Sequence, residues 1–426
     1  MSPDARARGP LSDLVIIDCT MALAGPFGSA ILADLGADVI KVEPPTGDMS
    51  RPSPPIPEDF INPNEGKAGV DGGCDFGGYF GSINRNKRSI SLDLKDEADR
   101  ETFLRLCEQA DAVLENMRAG VMDRLGLSYE TIRERNPKIV YAALRGFGDP
   151  RTGESPYADW PAFDIVAQAM GGFAHVNGPR GDGDHPGGGY PGGASVGDLF
   201  PGTLMALGVV AGVHHARRTG EGQFMDVAMV DGVNLLCESV FANYGSSLRH
   251  QLPPRGKHHH SLSPFGIYDA KDGGVAIAAP TPAQWEILCQ EMGRPDLVED
   301  ERTKNFWSRR ENREFVEGVV SEWTGAHTRD EIVEALAGRV PCGPVQTAAD
   351  IFESPHTAIR EMVAEVELPG ENEPVRIVGC PIKYTETKTG VRRRAPLLDE
   401  HRDEILAQFG LDAGPDAGPD GEGKEK

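Results

Sequence analysis

The sequence predicts an α/β fold in which a parallel sheet carries helices on its faces and is joined to a smaller α+β domain. Three observations predict it. Short β-branched runs alternate with helical stretches over the first third of the chain. Gly- and Pro-rich breaks punctuate that alternation. Past the middle of the chain the texture changes to a hairpin followed by helices. Alternation of this kind is the signature of parallel strands linked by crossover helices.

Taken in order, LVIIDCT reads as a strand, and the turn Ala24-Gly25-Pro26 leads into the helix FGSAILADLGA and the strand ADVIKVE. The unit repeats with SISLDL as strand, DEADRETFLRLCEQA as helix and DAVLEN as strand. A helix around SYETIRERN then precedes the strand KIVYAALRG. Ligands of such sheets bind at the carboxyl ends of the strands. Residues 50–80 and 178–193 read as long loops rich in Gly and Pro. After Asp198 comes an apolar helix, LFPGTLMALGVVAGVHHARR, then the strand FMDVAMV and a further helix. FGIYDAKDGGVAIAA is a hairpin with its turn at 271–274, and TPAQWEILCQEMG and ENREFVEGVVSEWTG are helical. VRIVGCPIKYTET is strand-like and is expected to rejoin the first domain. The expected division is 1–215 for the first part of the large domain and 216–340 for a linker and the small domain. Residues 341–412 return to the large domain, and 413–426 form a disordered acidic tail.

The 426 residues suffice for two buried cores, and 39% hydrophobic with 26% charged residues is globular composition. The longest apolar run, 204–213, is about half of the roughly 20 residues a membrane span needs. MSPDARARGPLSD lacks the apolar core of a signal peptide, so a cytoplasmic protein with no membrane partner is expected. Seven cysteines without a CxxC pair exclude a disulfide framework and disfavour structural zinc. Cys19, Cys107, Cys237 and Cys289 are predicted to be reduced core residues. The net charge of −23, from 66 acidic against 43 basic residues, disfavours nucleic acid and anionic membranes. Such a lysine-poor surface suits a salt-loving organism, and equally an acidic protein from a GC-rich genome.

Several segments carry potential chemistry. AGPFGSA fails the G-x-G-x-x-G spacing of dinucleotide binders, yet a tight turn at a helix start still offers backbone N–H groups to an anion. Lys87, Arg88 and Lys95 flank a strand, and Asn116, Arg118, Arg124 and Arg145 gather near strand ends. In so acidic a chain this grouping favours a bound anion, although each residue also serves as an ordinary strand cap. In VGDLFPG, Asp198 is expected at the N-cap of the apolar helix, with Pro201 in the first turn. Capping explains that aspartate. So does a nucleophilic carboxylate kept ionised by the helix dipole and able to attack a thioester. Asp164 begins another apolar helix, and capping explains it too. His258, His259 and His260 are consecutive and point in different directions on any regular backbone, which argues against a metal site. With Arg255 and Ser261 they offer cations and donors to a carboxylate-bearing substrate.

The ordered set DCTMALAGPFGSAILADLGADVIKVEPPTGDMSR, NRNKRSISLDLK, ENMRAGVMDRLGL, DIVAQAMGG, GASVGDLFPG and RTGEGQFMDVAMVDG resembles the family III CoA-transferases, also called the CaiB/BaiF family, over residues 12–390. The resemblance implies a Rossmann-like large domain, an interlocked homodimer, and acyl-CoA and carboxylic acids as substrates, with no tightly bound cofactor or metal. It places the nucleophile on Asp198, a supporting carboxylate on Asp164, and coenzyme A contacts on Ala22, Leu23, Ala24, Gly25, Leu92, Lys95, Asn116, Met117 and Arg124. The polar loop and acidic surface add an expectation of dicarboxylates such as succinyl-CoA and mesaconate. Two departures bear on the chemistry. Leu23 stands where formyl-CoA transferase has a glutamine. Phe163 stands where the family's racemases carry a histidine, which disfavours racemisation by two bases. An acyl-CoA isomerase and a non-catalytic CoA-binding protein are the alternatives.

Overall fold

The computed structural model describes residues 9–55, 76–182, 185, 187–369 and 373–411. The expected acidic tail, 413–426, and most of the 50–80 loop lie outside them. Two compact units emerge. The larger comprises Met1–Gly171, Ala194–Leu236 and Pro355–Lys426, and the smaller comprises Gly172–Gly193 and Cys237–Ser354. The divisions therefore differ from the expected junctions after 215 and 340. The whole of the apolar helix and the strand after it stay with the first sheet, whereas the Gly-rich loop groups with the smaller unit.

The larger unit holds six strands: β1 (Val15–Asp18), β2 (Asp38–Glu43), β3 (Arg88–Ser91), β4 (Ala112–Glu115), β5 (Val140–Arg145) and β6 (Gln223–Ala228). All pair in parallel, in the order β3-β2-β1-β4-β5-β6. The alternation in the sequence required this arrangement, because parallel neighbours need crossover helices and both sheet faces then become buried. Helices α1 (Ala24–Asp34), α2 (Gly78–Ile83), α3 (Glu97–Glu108), α4 (Tyr129–Arg135), α5 (Asp164–Met170) and α6 (Val196–Thr219) belong to this unit. Asp96 and Ser128 cap α3 and α4 by accepting backbone N–H groups of the first turn. On one face Ile17, Ile40 and Val113 of the sheet meet Phe103, Leu106 and Ile132 of those two helices. Helices α1 and α6 pack closely on each other, and α6 runs along β5 and β6.

By length and composition α6 is apolar enough to cross a membrane. Part of its apolar surface packs within the protein, with Met205 and Val209 fully buried, while Leu207 is exposed. The helix expected after Asp198 is observed as Val196–Thr219, longer than the uninterrupted apolar run 204–213.

The strand order reverses between β1 and β4, which opens a crevice outside their carboxyl ends. VRIVGCPIKYTET lies in the larger unit, outside its six-stranded sheet. Val375–Val378 pairs antiparallel with Val363–Val366, and the two cover a small core of Phe76, Phe80 and Leu368. In the smaller unit β7 (Phe265–Ala270), β8 (Gly273–Ala278) and β9 (Cys342–Pro344) form an antiparallel sheet. Its core joins Tyr268, Val275 and Ile277 to Trp285, Val316 and Ile332 of flanking helices.

Candidate active site

The crevice between β1 and β4 holds a cavity of about 280 Å³. Ala22, Leu23 and Ala24 of the first βα turn form one wall. Asn116, Met117 and Arg118, past the end of β4, form another, and Asp198 of α6 closes the floor. A second groove of about 170 Å³, lined by Leu92 and Lys95, shares Met21 and Met117 with the first. Asn116 pins the turn: its Oδ1 accepts the Met21 N–H at 2.8 Å and its Nδ2 donates to the Met21 carbonyl at 2.7 Å. Gly25 and Arg124, expected beside these residues, line neither cavity. A Cβ on Gly25 would run into Thr20, which makes it a packing glycine, and Arg124 is exposed.

Asp198 arrives here through glycine-tight packing. A Cβ on Gly202 would strike the Ala24 carbonyl, and one on Gly28 would strike the Gly202 carbonyl, so α6 approaches α1 backbone to backbone. Helix α6 begins at Val196 with Ser195 as its N-cap. Asp198 is thus the third helical residue and not the cap, and Pro201 lies in the second turn. The carboxyl accepts no hydrogen bond from any described residue. Asp164 supplies the helix-start contact instead. It accepts the Gly197 N–H at 2.7 Å and two hydrogen bonds from the Gln168 amide at 2.8 and 3.0 Å.

That arrangement reverses one electrostatic expectation. The helix dipole was expected to keep Asp198 fully ionised. Burial, reinforced by the Asp164 charge, pushes it up to about 7. Tyr79 of α2 shares this surrounding. Burial raises its hydroxyl, and Asp198 and Asp164 add to the effect. Sequence reading missed Tyr79, since nothing local ties it to aspartates more than 80 residues away.

Three expected anion-binding cations prove committed to the protein. Arg145 lines the cavity, but its guanidinium bonds Glu115 and Asp149 and its Nε donates to the Met117 carbonyl at 3.1 Å. Lys87 is fully buried against Asp18 at 2.9 Å and Asn84 at 2.8 Å, and burial lowers it to about 8. Arg88 pairs with Asp38 and Glu404. Lys95 and Arg118 remain exposed, and no described residue pairs with either.

The loop with Arg255, His258, His259, His260 and Ser261 belongs to the smaller unit. Residues 257–259 run antiparallel to β7, with the His259 N–H on the Phe265 carbonyl and the Ile267 N–H on the Lys257 carbonyl, both at 2.8 Å. His258 packs edge-on against Tyr268, whereas His259 stacks on His260 with centroids 4.2 Å apart. The Nδ1 of His259 accepts the Ser261 and Leu262 N–H groups at 3.0 and 3.1 Å, which requires that nitrogen to be unprotonated. Burial, with His260 and Arg313, lowers His259, and burial with Arg313 lowers His260. Both shifts oppose a positive charge on these rings, which the sequence reading offered as cations and donors. The Arg255 Nε and His258 Nδ1 are buried without a partner among the described residues.

The model of CoA-transferase family III matches residues 11–402. The chain is 46% identical to the succinyl-CoA:mesaconate CoA-transferase of Haloarcula marismortui over 95% of its length and 98% of that protein's. It is 35% identical to the acetyl-CoA:oxalate CoA-transferase of Acetobacter aceti, covering 97% and 98% of the two. The crystal structure of a CaiB/BaiF family protein from Brucella suis superposes with a TM-score of 0.79 at 31% identity, covering 94% of this chain and all of that one. Family model, relatives and fold agree over nearly the full length, so the chain belongs to family III of the CoA-transferases.

Proposed function

We propose that this CoA-transferase moves CoA between succinyl-CoA and a second dicarboxylate such as mesaconate, with Asp198 as the covalent carrier. A partly buried carboxyl, without a hydrogen-bond partner among the described residues and facing a cavity at the sheet's switch point, carries the reading. The 46% identity to the Haloarcula enzyme and the carboxylate-rich composition support the acids named. A homodimer belongs to the same reading, from the family resemblance.

In the proposed sequence an Asp198 oxygen attacks the thioester carbonyl, the C–S bond breaks, and CoA thiolate leaves a mixed anhydride. The thiolate attacks the aspartyl carbonyl, giving an aspartyl-CoA thioester and releasing the donor carboxylate. The acceptor carboxylate then attacks that thioester and displaces the thiolate, which attacks the acceptor acyl carbon and frees Asp198. One thioester replaces another, so no ATP is consumed. The Leu23 and Ala24 N–H groups accompany the developing oxyanions. Lys95 and Arg118 face the phosphates, and Asp164 orients α6 and tunes Asp198. Phe163 lines the cavity and carries no transferable proton, which favours transfer over racemisation.

The test is incubation with succinyl-CoA and mesaconate in high salt, with new CoA esters read by mass spectrometry. Asp198→Ala and Asp198→Asn should each cost about 10³-fold or more in rate. Transfer at the wild-type rate by either variant sinks the mechanism. Solvent deuterium appearing at the α-carbon without an acceptor acid points to isomerase chemistry instead.

A further inference from the structure

The turn that faces the nucleophile contains a residue in an unfavourable conformation. Ala22 has φ of 65°, the left-handed region that an L side chain enters only when its surroundings hold it there. Its N–H donates to Asp48 Oδ1 at 3.1 Å. Asp48 is itself fixed on every side. Oδ1 also accepts the Ser50 N–H and hydroxyl at 2.8 Å each, Oδ2 accepts Lys41 Nζ at 2.8 Å, and the Asp48 N–H donates to Glu43 at 3.0 Å. Lys41 is fully buried and donates as well to the Thr20 carbonyl at 2.8 Å. Thr20, Met21 and Ala22 are thus held in succession by Lys41, Asn116 and Asp48. Beyond them, Leu23 and Ala24 line the cavity, and their N–H groups have no acceptor among the described residues.

We propose that Asp48 is a positioning residue for the acyl-CoA: by accepting the Ala22 N–H it keeps Ala22 left-handed and so presents the Leu23 and Ala24 N–H groups to the thioester. The inference rests on the reading that this turn contacts the CoA ester. Its sequence distance conceals it, since Asp48 lies one helix, one strand and a loop beyond the turn it holds.

Asp48→Asn is the first test. The amide oxygen goes to the Lys41 cation, which turns the NH2 group toward the Ala22 N–H and breaks that hydrogen bond. KM for succinyl-CoA should rise about tenfold, in line with the loss expected from a misplaced positioning group. Adding Ala22→Gly should bring it back to within about threefold, because glycine adopts positive φ unaided. A purely structural role predicts a lower melting temperature with KM unchanged, or a KM defect that Ala22→Gly does not relieve; either result overturns the proposal. Leu23→Trp, which fills the cavity, separates the two layers of the argument. If it raises KM while Asp48→Asn does not, only the positioning role fails. If it leaves KM unaltered, the turn is not the CoA site and both fall. Should Asp48→Asn not fold, hydrogen exchange on the wild-type chain decides: the Ala22 amide should be protected like those of β1, and free exchange rules the latch out.

Discussion

The Asp164 carboxylate accepts the Gly197 N–H at 2.7 Å, which places its charge one residue from Asp198. Gly197 permits this approach, since a Cβ there would lie 2.7 Å from the Asp164 carbonyl oxygen and 2.9 Å from its Oδ1. One carboxylate therefore performs two tasks, capping α6 and opposing ionisation of its neighbour. An attacking carboxylate must be ionised. The rate should accordingly rise with pH through about 7, where burial and Asp164 hold Asp198. Asp164→Asn keeps an oxygen for the Gly197 N–H and removes the charge, so the midpoint of the pH–rate profile should move to lower pH. An unmoved midpoint would show that Asp164 acts on orientation alone.

The same elevation has a consequence for stability. Asp198 is raised in the folded chain, so its favourable contribution is full below the unfolded value of 3.8 and is lost as pH rises through about 7. Asp198→Asn cannot ionise and escapes that loss. Thermal unfolding should show the variant gaining on wild type between pH 5 and 8 by roughly 1–2 kcal/mol, after allowance for solvent screening. Stability lost on removal of a nucleophile would contradict this, since functional sites commonly trade stability for reactivity.

The cations divide into two behaviours. Arg145 holds Glu115 and Asp149 together beneath the cavity wall, and Glu115 is already pushed up to about 7, mainly by burial. Arg145→Gln leaves the buried Glu115 without a cation among the described residues and Asp149 with only Arg151 at 3.5 Å, and should cost about 3–5 kcal/mol in denaturant unfolding. Lys95→Ala and Arg118→Ala remove exposed charges with no protein partner among the described residues. They should leave stability within about 0.5 kcal/mol and raise KM for CoA esters several-fold, an effect that shrinks as salt screens the phosphates. Equal stability losses in all three variants would refute the division.

How much of this was legible in the sequence depended on range. The βα alternation predicted six of the large unit's strands because each is a local β-branched run bounded by turns. Asp198 was singled out because an acidic residue among glycines at the start of an apolar helix is a local pattern. Its upward shift was not legible, since burial and the Asp164 charge cause it, and Asp164 lies 34 positions upstream, joined to it only by the fold. The pairing of Lys87 with Asp18 and of Arg145 with Glu115 and Asp149 was hidden for the same reason. A sequence shows that a cation exists and hides the carboxylate it already holds. The histidine loop hides a different fact, since no local signal reveals that burial and Arg313 lower His260.

Position, finally, rests on two glycines. The backbone contact of α1 with α6 puts the first βα turn and Asp198 in one cavity, and it exists because Gly28 and Gly202 present no side chains. Gly202→Ala forces a methyl group into the Ala24 carbonyl, so the helices must separate or shift. Overpacking of this kind costs about 1–3 kcal/mol, seen as a lower unfolding midpoint. The kinetic effect should exceed what that loss implies. A shift near 1 Å between nucleophile and turn can cost about 10²-fold in rate, while the phosphate contacts proposed for Lys95 and Arg118 are left in place. The expected signature is therefore a large fall in kcat with KM changed only several-fold. A variant that loses stability yet keeps kcat would show that the two helices need not touch for Asp198 to reach the thioester.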